Sequence, residues 1–276
     1  MKRPRRIVMA AVLLLSLAVL AGRMSKLWGP FPRQAISRSS GGTSVEPAWS
    51  RAIKVVEVID GDTIVIDGGE HIRYLGIDTP ERGEPLYVEA RRENRRLLSS
   101  GGVSLRGCPS RPEDKYGRTR AFVWAGETFV NAELVRKGLA KTRFLSSCED
   151  GVARDFVLRE IEAWRGQLGL WSGADLEPID HTEAAGHIGS FRAVTGRVLE
   201  VSRGPTATFV NFTKDYENDF TAVVFPRGMA HFKDLGIDLE STYTGRRVRV
   251  TGPIGEHNGP QIVVEAPEQI SFAAVH

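Results

Sequence analysis

The sequence has little sulfur and few histidines. Its 276 residues include two cysteines and six histidines, and it contains no His-Glu-x-x-His or Cys-x-x-Cys arrangement. A zinc site therefore has little basis in the sequence. A glycine-rich phosphate loop before a lysine is also missing, which argues against a P-loop. These absences leave open a site for a hard cation, which is built from carboxylate and carbonyl oxygens.

A large excess of charge is missing as well. The formal net charge is only +3, so the global charge does not indicate a polyanion-binding protein, and any such function must depend on local arginine placement. Hydrophobic residues make up 41% of the chain, enough for ordinary cores. The length is sufficient for two domains.

The N-terminus has the layout of a secretory signal peptide. Residues 1–6 are basic, and 7–21 form a continuous apolar stretch. A spanning helix usually needs about 20 apolar residues, so a cleaved signal at 1–22 is favoured over a membrane anchor that tethers the chain through 7–21. No cysteine follows for lipid attachment. Residues 23–50 are rich in Ser, Gly, Pro and Arg and are predicted to be a flexible linker. Export to the periplasm or the medium is expected.

Acidic residues and one arginine are concentrated between positions 60 and 81. Asp-Gly-Asp-Thr occupies 60–63, Arg73 follows, and Asp-Thr-Pro-Glu occupies 78–81. β-Branched runs around them predict three short antiparallel strands, with Arg73 in the middle of the third. Asp62 at a strand start and Asp78 at a strand end can then converge on one ion. Each piece alone could be only a turn.

A third motif, Asp-Lys-Tyr-Gly-Arg at 114–118, is predicted to form the tip of a hairpin. Arg118 then follows the turn and can project a second fork-shaped cation, which suits a phosphate better than a lysine would. Alone, the pentapeptide could be a solvated hairpin tip.

Taken in order, these motifs resemble the staphylococcal-nuclease-like family, the thermonucleases. The resemblance runs from about Ala52 to Ser172 and includes Val-Asn-Ala-Glu-Leu-Val-Arg-Lys-Gly-Leu-Ala at 130–140. It implies an α+β fold, mainly β with helices, in which a five-stranded OB-type barrel packs against three helices over residues 51–173.

The resemblance also implies roles for the site residues. Calcium would be bound by the carboxylates of Asp62 and Asp78 and the backbone carbonyl of Thr79. Asp60 would be a nearby carboxylate that orients these ligands without binding the ion directly. Glu81 would orient or deprotonate the attacking water. The remaining implied roles are binding of the scissile phosphate by Arg73 and Arg118, and of the nucleotide's terminal phosphate by Lys115 and Tyr116.

One departure from the family pattern affects the base pocket. Family members often carry two tyrosines where this chain has Phe144 and Ser146. Phe144 can still stack on a base, since stacking needs only a ring face. The hydroxyl contacts are lost, which leaves the base preference open.

The predicted export bears on the redox state of the two cysteines. Cys108 follows a strand and Cys148 lies in the loop before the last helix of the predicted nuclease domain. In an oxidising compartment the pair can form a disulfide; two free thiols are the alternative.

The C-terminal part is predicted to be a second domain. Residues 174–186 are polar and acidic and are predicted to be a linker. Five strand-like runs with a helical interruption at 229–235 predict a second small OB-like β-barrel at 187–276. The glycines and spacing at 195–198 and 246–252 weakly resemble nucleic-acid-binding OB modules.

The sequence therefore predicts a calcium-dependent endonuclease that hydrolyses DNA, and RNA as a second substrate, with low sequence specificity. Family resemblance implies products that carry a 3′-phosphate. A monomer is expected. The alternative is a non-catalytic module that binds nucleic acid or protein on a nuclease-like barrel.

Overall fold

The computed structural model describes residues 50–145, 147–215 and 219–273. The predicted signal peptide at 1–22, its apolar stretch at 7–21, the linker residues 23–49, and Ser146 lie outside these ranges. Within them, no helix is both long and apolar enough to cross a membrane. The described residues belong to one compact unit.

The first half of the chain is built on a seven-stranded sheet, and β-branched residues are frequent in its strands. Its members are β1 (Ser50–Ile53), β2 (Val55–Val58), β3 (Thr63–Ile66), β4 (His71–Tyr74), β6 (Val103–Gly107), β7 (Thr119–Ala125) and β8 (Thr128–Phe129). A separate pair is formed by β5 (Ile77–Asp78) and β9 (Lys141–Thr142).

The sheet closes into a barrel. Its strand order is β1-β6-β7-β4-β3-β2, with β8 beside β7, and only Lys54 separates β1 from β2 in sequence. The strands β1 and β2 at the two ends of the sheet are thus parts of one bent strand. Counted as one, they form with β3, β4, β6 and β7 a closed barrel of five strands, in agreement with the prediction. The pair β4–β7 is parallel and the other pairs are antiparallel.

Three helices pack against the barrel, as predicted. They are α1 (Tyr87–Leu98), α2 (Val130–Arg136) and α3 (Ala153–Arg165). Gly138 follows α2 in a left-handed conformation with φ of 66°, which glycine adopts without strain. A β-carbon at Gly138 would lie 2.1 Å from the carbonyl oxygen of Leu168, so the chain needs glycine there to approach the end of the domain. The core contains fully buried side chains such as Ile64, Ile72, Leu105, Leu134 and Phe156.

The second half forms two further sheets. One contains β10 (Ile179–Asp180), β11 (Phe191–Arg197), β15 (Arg247–Pro253) and β18 (Ile270–Phe272), and the other contains β12 (Glu200–Arg203), β13 (Thr208–Asn211), β14 (Thr221–Val224), β17 (Pro260–Val263) and β16 (Gly255–Glu256). The chain passes between the sheets from β11 to β12 and again from β15 to β16. Helices α4 (Pro226–Asp234) and α5 (Leu239–Tyr243) lie between β14 and β15 in sequence, where a helix at 229–235 was predicted.

The predicted linker at 174–186 is folded. It contains β10, which pairs with β11 in parallel, and the start of a 3₁₀ helix at His181–His187. Asp180 caps this helix by accepting a hydrogen bond from the Thr182 backbone N–H. The polar residues that indicated a linker therefore include the cap of a short helix, since Asp is favoured in both settings.

Helix α3 joins the two halves. Its Trp164 ring lies 5.3 Å from the ring of Phe191 at the start of β11, and Trp171 lies 5.1 Å from the same ring. Ion pairs from Arg154 to Glu268 and from Arg227 to Asp150 also cross between the halves. The apolar face of α3 therefore contributes to two cores.

Candidate active site

The site begins at the turn between β2 and β3. The Asp60 side chain accepts a hydrogen bond from the Asp62 backbone N–H at 2.9 Å and so shapes this turn. Gly61 fits because a β-carbon there would lie 2.7 Å from the Thr79 hydroxyl oxygen and 2.8 Å from the Ala90 side chain. The turn can therefore pack directly under the segment that carries the second acidic motif.

Asp62 is the centre of the site. Its carboxylate accepts hydrogen bonds from the Thr79 backbone N–H at 2.8 Å and the Thr63 hydroxyl at 3.2 Å, and Arg73 Nη1 lies 2.9 Å from it. Only 6% of its side chain is exposed. Burial raises the pKa of Asp62 to about 7, because desolvation outweighs the opposing effect of Arg73, and the nearby Asp60 adds to the rise.

Arg73 joins the two acidic motifs. Its Nη1 also donates to the backbone carbonyl oxygens of Tyr74 and Ile77, both at 3.0 Å. Its Nη2 lies 2.5 Å from Oδ1 of Asp78. One guanidinium therefore contacts both Asp62 and Asp78, and the structure brings these two carboxylates together as the sequence predicted.

The donor set suits a hard cation. Asp62, Asp78 and the Thr79 carbonyl offer oxygen ligands of the kind calcium prefers. A carboxylate as buried as Asp62 is costly to ionise unless a positive charge lies beside it. Across the described ranges, no group of three or more His, Cys, Asp or Glu side chains is arranged to hold a metal, so a cation here would rely on two carboxylates and backbone or water oxygens.

Arg118 reaches the same site from the predicted hairpin tip. Asp114 accepts hydrogen bonds from the backbone N–H groups of Tyr116 at 2.9 Å and Arg118 at 3.0 Å, and from Arg118 Nε at 2.7 Å. Burial raises the pKa of Asp114, but these bonds outweigh it and the pKa lies below its ordinary value. Arg118 Nη1 is 3.5 Å from the Thr63 hydroxyl, which itself contacts Asp62. Arg73 therefore contacts Asp62 directly, and Arg118 is connected to it through the Thr63 hydroxyl.

The other predicted residues lie at the rim. Tyr116 is 70% exposed, with Lys115 Nζ at 4.9 Å and the Arg118 guanidinium at 5.4 Å from its ring centre. The Glu81 side chain is exposed, three residues beyond Asp78, and its backbone N–H donates to Glu84 at 2.8 Å.

Arg143 is a further residue of the site that was not predicted from the sequence. Strand β9 pairs with β5, so that Lys141 lies opposite Asp78. The next outward residue, Arg143, places Nη1 3.0 Å from Oδ2 of Asp78. Asp78 is therefore held by two arginines, one on each oxygen. The signal in the sequence was the basic alternation of Lys141 and Arg143, and the strand that ends just before Arg143 has only two residues and is too short to predict.

Phe144 has a different environment from the one expected. Its ring centre lies 6.3 Å from that of Phe156, and the Arg227 guanidinium lies 5.0 Å from it. The ring is partly buried between the nuclease-like core and α4. Base stacking at Phe144 stays a prediction, and it would require a base to compete with Arg227 for the ring.

A buried carboxylate fixes the strand that lies beside Asp78. Glu160 on α3 accepts hydrogen bonds from the Thr142 backbone N–H at 3.0 Å and from its hydroxyl at 2.5 Å. Burial raises the pKa of Glu160, although the bonds from Thr142 and the charge of Lys141 oppose the rise. Glu160 thus positions β9, and β9 in turn positions Asp78 and Arg143.

Two variants of Glu160 should distinguish the contribution of its hydrogen bonds to stability from the contribution of its charge. Glu160→Leu leaves two Thr142 donors without their acceptor, so the free energy of unfolding should fall by about 1–3 kcal/mol. Glu160→Gln keeps an acceptor oxygen, so its free energy of unfolding should fall by less. Urea denaturation of both variants measures the difference, and equal losses would contradict this assignment.

The raised pKa also predicts a pH effect. The folded state holds the Glu160 proton more tightly than the unfolded chain, so ionisation above the ordinary value of 4.5 lowers stability as the pH rises. Glu160→Gln removes this component, and the stability of the variant relative to wild type should therefore increase with pH. A relative stability that does not change with pH would contradict the raised pKa.

The predicted disulfide is confirmed. Cys108 and Cys148 are joined with an S–S distance of 2.05 Å and a Cα–Cα distance of 5.7 Å. The bond ties the loop that leads to the Asp114–Arg118 turn to the segment that follows Phe144. The segment that leads to Arg118 and the segment that carries Arg143 are therefore linked covalently.

Comparison with known proteins identifies the family. Residues 71–173 match the family model described as staphylococcal nuclease homologue. The thermonuclease of Staphylococcus hyicus is 33% identical over 147 residues, covering 50% of this chain and 78% of that protein. The thermonuclease of Staphylococcus intermedius is 36% identical over 126 residues, covering 42% and 74%. Endonuclease YncB of Bacillus subtilis (strain 168) is 35% identical over 123 residues, covering 41% and 58%. The chain therefore belongs to the staphylococcal nuclease homologue family.

Proposed function

We propose that this chain is a calcium-dependent endonuclease that hydrolyses DNA and RNA with low sequence specificity. The observation that carries the proposal is the convergence of Arg73 and, through Thr63, Arg118 on the buried carboxylate of Asp62, with Asp78 alongside. A pair of guanidinium groups beside hard oxygen ligands suits a phosphodiester whose charge grows in the transition state. The thermonucleases and the endonuclease that match the chain support hydrolysis of phosphodiester bonds.

The proposed mechanism assigns one task to each residue. Asp62, Asp78 and the Thr79 carbonyl would hold calcium. When bound, calcium supplies positive charge against the phosphate and lowers the pKa of water. Glu81 accepts the proton of the attacking water. The exposure of its side chain, three residues after Asp78 in sequence, supports this role. The water oxygen bonds to phosphorus as the bond to the 5′-oxygen breaks. The departing 5′-oxygen takes up a proton from solvent and leaves as a hydroxyl, and the other product keeps a 3′-phosphate.

Low base preference follows from the groups in the site. The cations contact positions where phosphate oxygens would lie, and these carry no sequence information. Lys115 and Tyr116 at the hairpin tip would bind a terminal phosphate. Phe144, the predicted base platform, already has Arg227 on its ring.

The C-terminal half is proposed to be an OB-like module. Its support is the strand order, in which β14 and β17 pair in parallel and a helix follows β14. The nuclease half shows the same arrangement in its parallel β4–β7 pair with α1 after β5. Acidic and basic residues are nearly balanced in 187–276. The module contacts the nuclease half at α3 and, through Arg227, at Phe144, and it would hold substrate or a partner.

Export as a monomer is part of the proposal. The disulfide supports an oxidising compartment, since such bonds persist outside the cytoplasm. An unselective nuclease that requires calcium also fits a periplasmic or secreted location.

Calcium removal should abolish activity. The purified chain should cleave single-stranded DNA in calcium and not in chelator, and restoring calcium should restore cleavage. Calcium should also raise the melting temperature of the wild type but not of Asp62→Ala, because ligand binding stabilises the folded state. Equal cleavage with and without calcium would refute the mechanism, and binding of DNA without cleavage would favour the non-catalytic alternative.

A further inference from the structure

Three arginines gather along the three residues 143–145, which we call the 143–145 segment. Arg143 contacts Asp78 at 3.0 Å, the Arg227 guanidinium covers the Phe144 ring at 5.0 Å, and Arg111 Nη1 donates to the Leu145 carbonyl oxygen at 3.0 Å. They come from three distant parts of the chain. None belongs to the acidic motifs or the hairpin tip that indicated the active site.

The charges of these arginines are compensated to different degrees. Arg227 is paired with both Glu265 and Asp150, and only 20% of its side chain is exposed. Arg111 is exposed, and its hydrogen-bond acceptor at Leu145 is a neutral carbonyl. Its charge is therefore not balanced by that contact.

Arg143 leaves part of its guanidinium open to solvent. Its side chain is 55% exposed, and its carboxylate partner Asp78 is shared with Arg73, which also contacts Asp62. Among the described contacts, the arginine without a carboxylate partner is therefore Arg111, and Arg143 adds an exposed donor on the same segment. A ligand attracted to the exposed face of Arg143 and Arg111 must therefore be anionic.

Hydrogen bonds hold the backbone at Arg143. The Arg143 backbone N–H donates to the Gly76 carbonyl oxygen at 2.9 Å, and Glu160 holds the preceding Thr142. Phe156 and Arg227 enclose Phe144 on the other side. A rigid backbone lowers the entropy lost when side chains are ordered by a ligand, so this segment is suited to binding.

We propose that Arg143 and Arg111 form a phosphate subsite next to the scissile position, along which a single-stranded polynucleotide backbone leaves the active site. The proposal rests on the proposed nuclease function. Arg143 connects the subsite to Asp78, and Arg111 continues it towards the disulfide-linked loop. Arg227 has a supporting part, because its charge is already paired and its contact with Phe144 keeps the segment in place.

The length of the substrate provides the test. With calcium present, kcat/KM would be measured for a dinucleotide and a single-stranded dodecanucleotide over a series of salt concentrations. Arg111→Ala and Arg143→Ala should lower kcat/KM for the dodecanucleotide more than for the dinucleotide, with an extra loss for each of up to about fivefold, as expected for one exposed charge pair. The slope of log kcat/KM against log salt for the long strand should become shallower by about 0.7 for each lost phosphate contact.

The controls separate charge from folding and the subsite from the nuclease itself. Arg111→Lys keeps the charge and should keep the wild-type slope. Arg203→Ala removes an arginine that is 68% exposed and paired with Asp238 on the other half, and should leave both substrates unaffected. If wild type cleaves neither substrate, the proposed function fails. If wild type cleaves both and the alanine variants keep its slope and length dependence, the subsite alone is overturned.

Discussion

Replacing Arg118 with alanine should lower kcat for single-stranded DNA by about 100- to 1,000-fold, the loss typical when one transition-state stabiliser is removed. Arg118 reaches Thr63 while Asp114 holds its Nε, so its guanidinium is already oriented before substrate arrives. The contact should strengthen as charge develops on the phosphate. The fall should therefore appear in kcat more than in KM.

Two further variants make this result specific. Arg118→Lys keeps the charge but loses the fork, so it should recover only part of the activity. Arg106→Ala removes an exposed arginine from β6 of the same barrel and should retain full activity. Thermal unfolding should show that Arg118→Ala is folded. If a folded Arg118→Ala variant loses less than tenfold in kcat, Arg118 does not stabilise the transition state.

Removing the disulfide should have the largest effect on stability. The bond between Cys108 and Cys148 closes a loop with a sequence separation of 40. The chain-entropy relation assigns a loop of this length about 4 kcal/mol, because the crosslink restricts the unfolded chain. The double variant Cys108→Ser/Cys148→Ser should lose about this much free energy of unfolding in guanidinium titrations.

Reduction of wild type supplies the matched control. Reductant should lower the unfolding midpoint of wild type to near that of the double variant, while the midpoint of the double variant should not respond. At temperatures where both remain folded, their nuclease activities should differ far less than their stabilities. A loss below about 1 kcal/mol would show that the unfolded chain is already restricted without the bond.

The parts of the site that sequence predicted are those encoded by local patterns. Asp60, Asp62 and Asp78 lie at turns flanked by β-branched strands, and such signals fix a strand end within a few residues. Arg118 follows a turn whose Asp114 organises it through bonds within five residues. The disulfide was predicted as one of two alternatives, because a predicted export allows the bond but no local pattern determines the distance between the two cysteines.

The parts that sequence did not predict depend on long-range pairing. Arg143 meets Asp78 only because the two-residue strand β9 pairs with β5, and no periodicity can be detected over two residues. Arg227 reaches Phe144 from more than eighty positions away. The folded segment at 174–186 was missed for a different reason, because capping residues and linker residues have the same composition.

Helix α3 determines how the chain can be divided. It buries Phe156 in the nuclease core, while Val157, Ile161 and Trp164 pack with Phe191 and Ala193 of the other half. A fragment that stops at residue 173 would expose the second set to water and would lose part of the support of the helix that carries Glu160. The two halves are therefore expected to melt in one transition, so that cutting the chain at its apparent boundary would destabilise both.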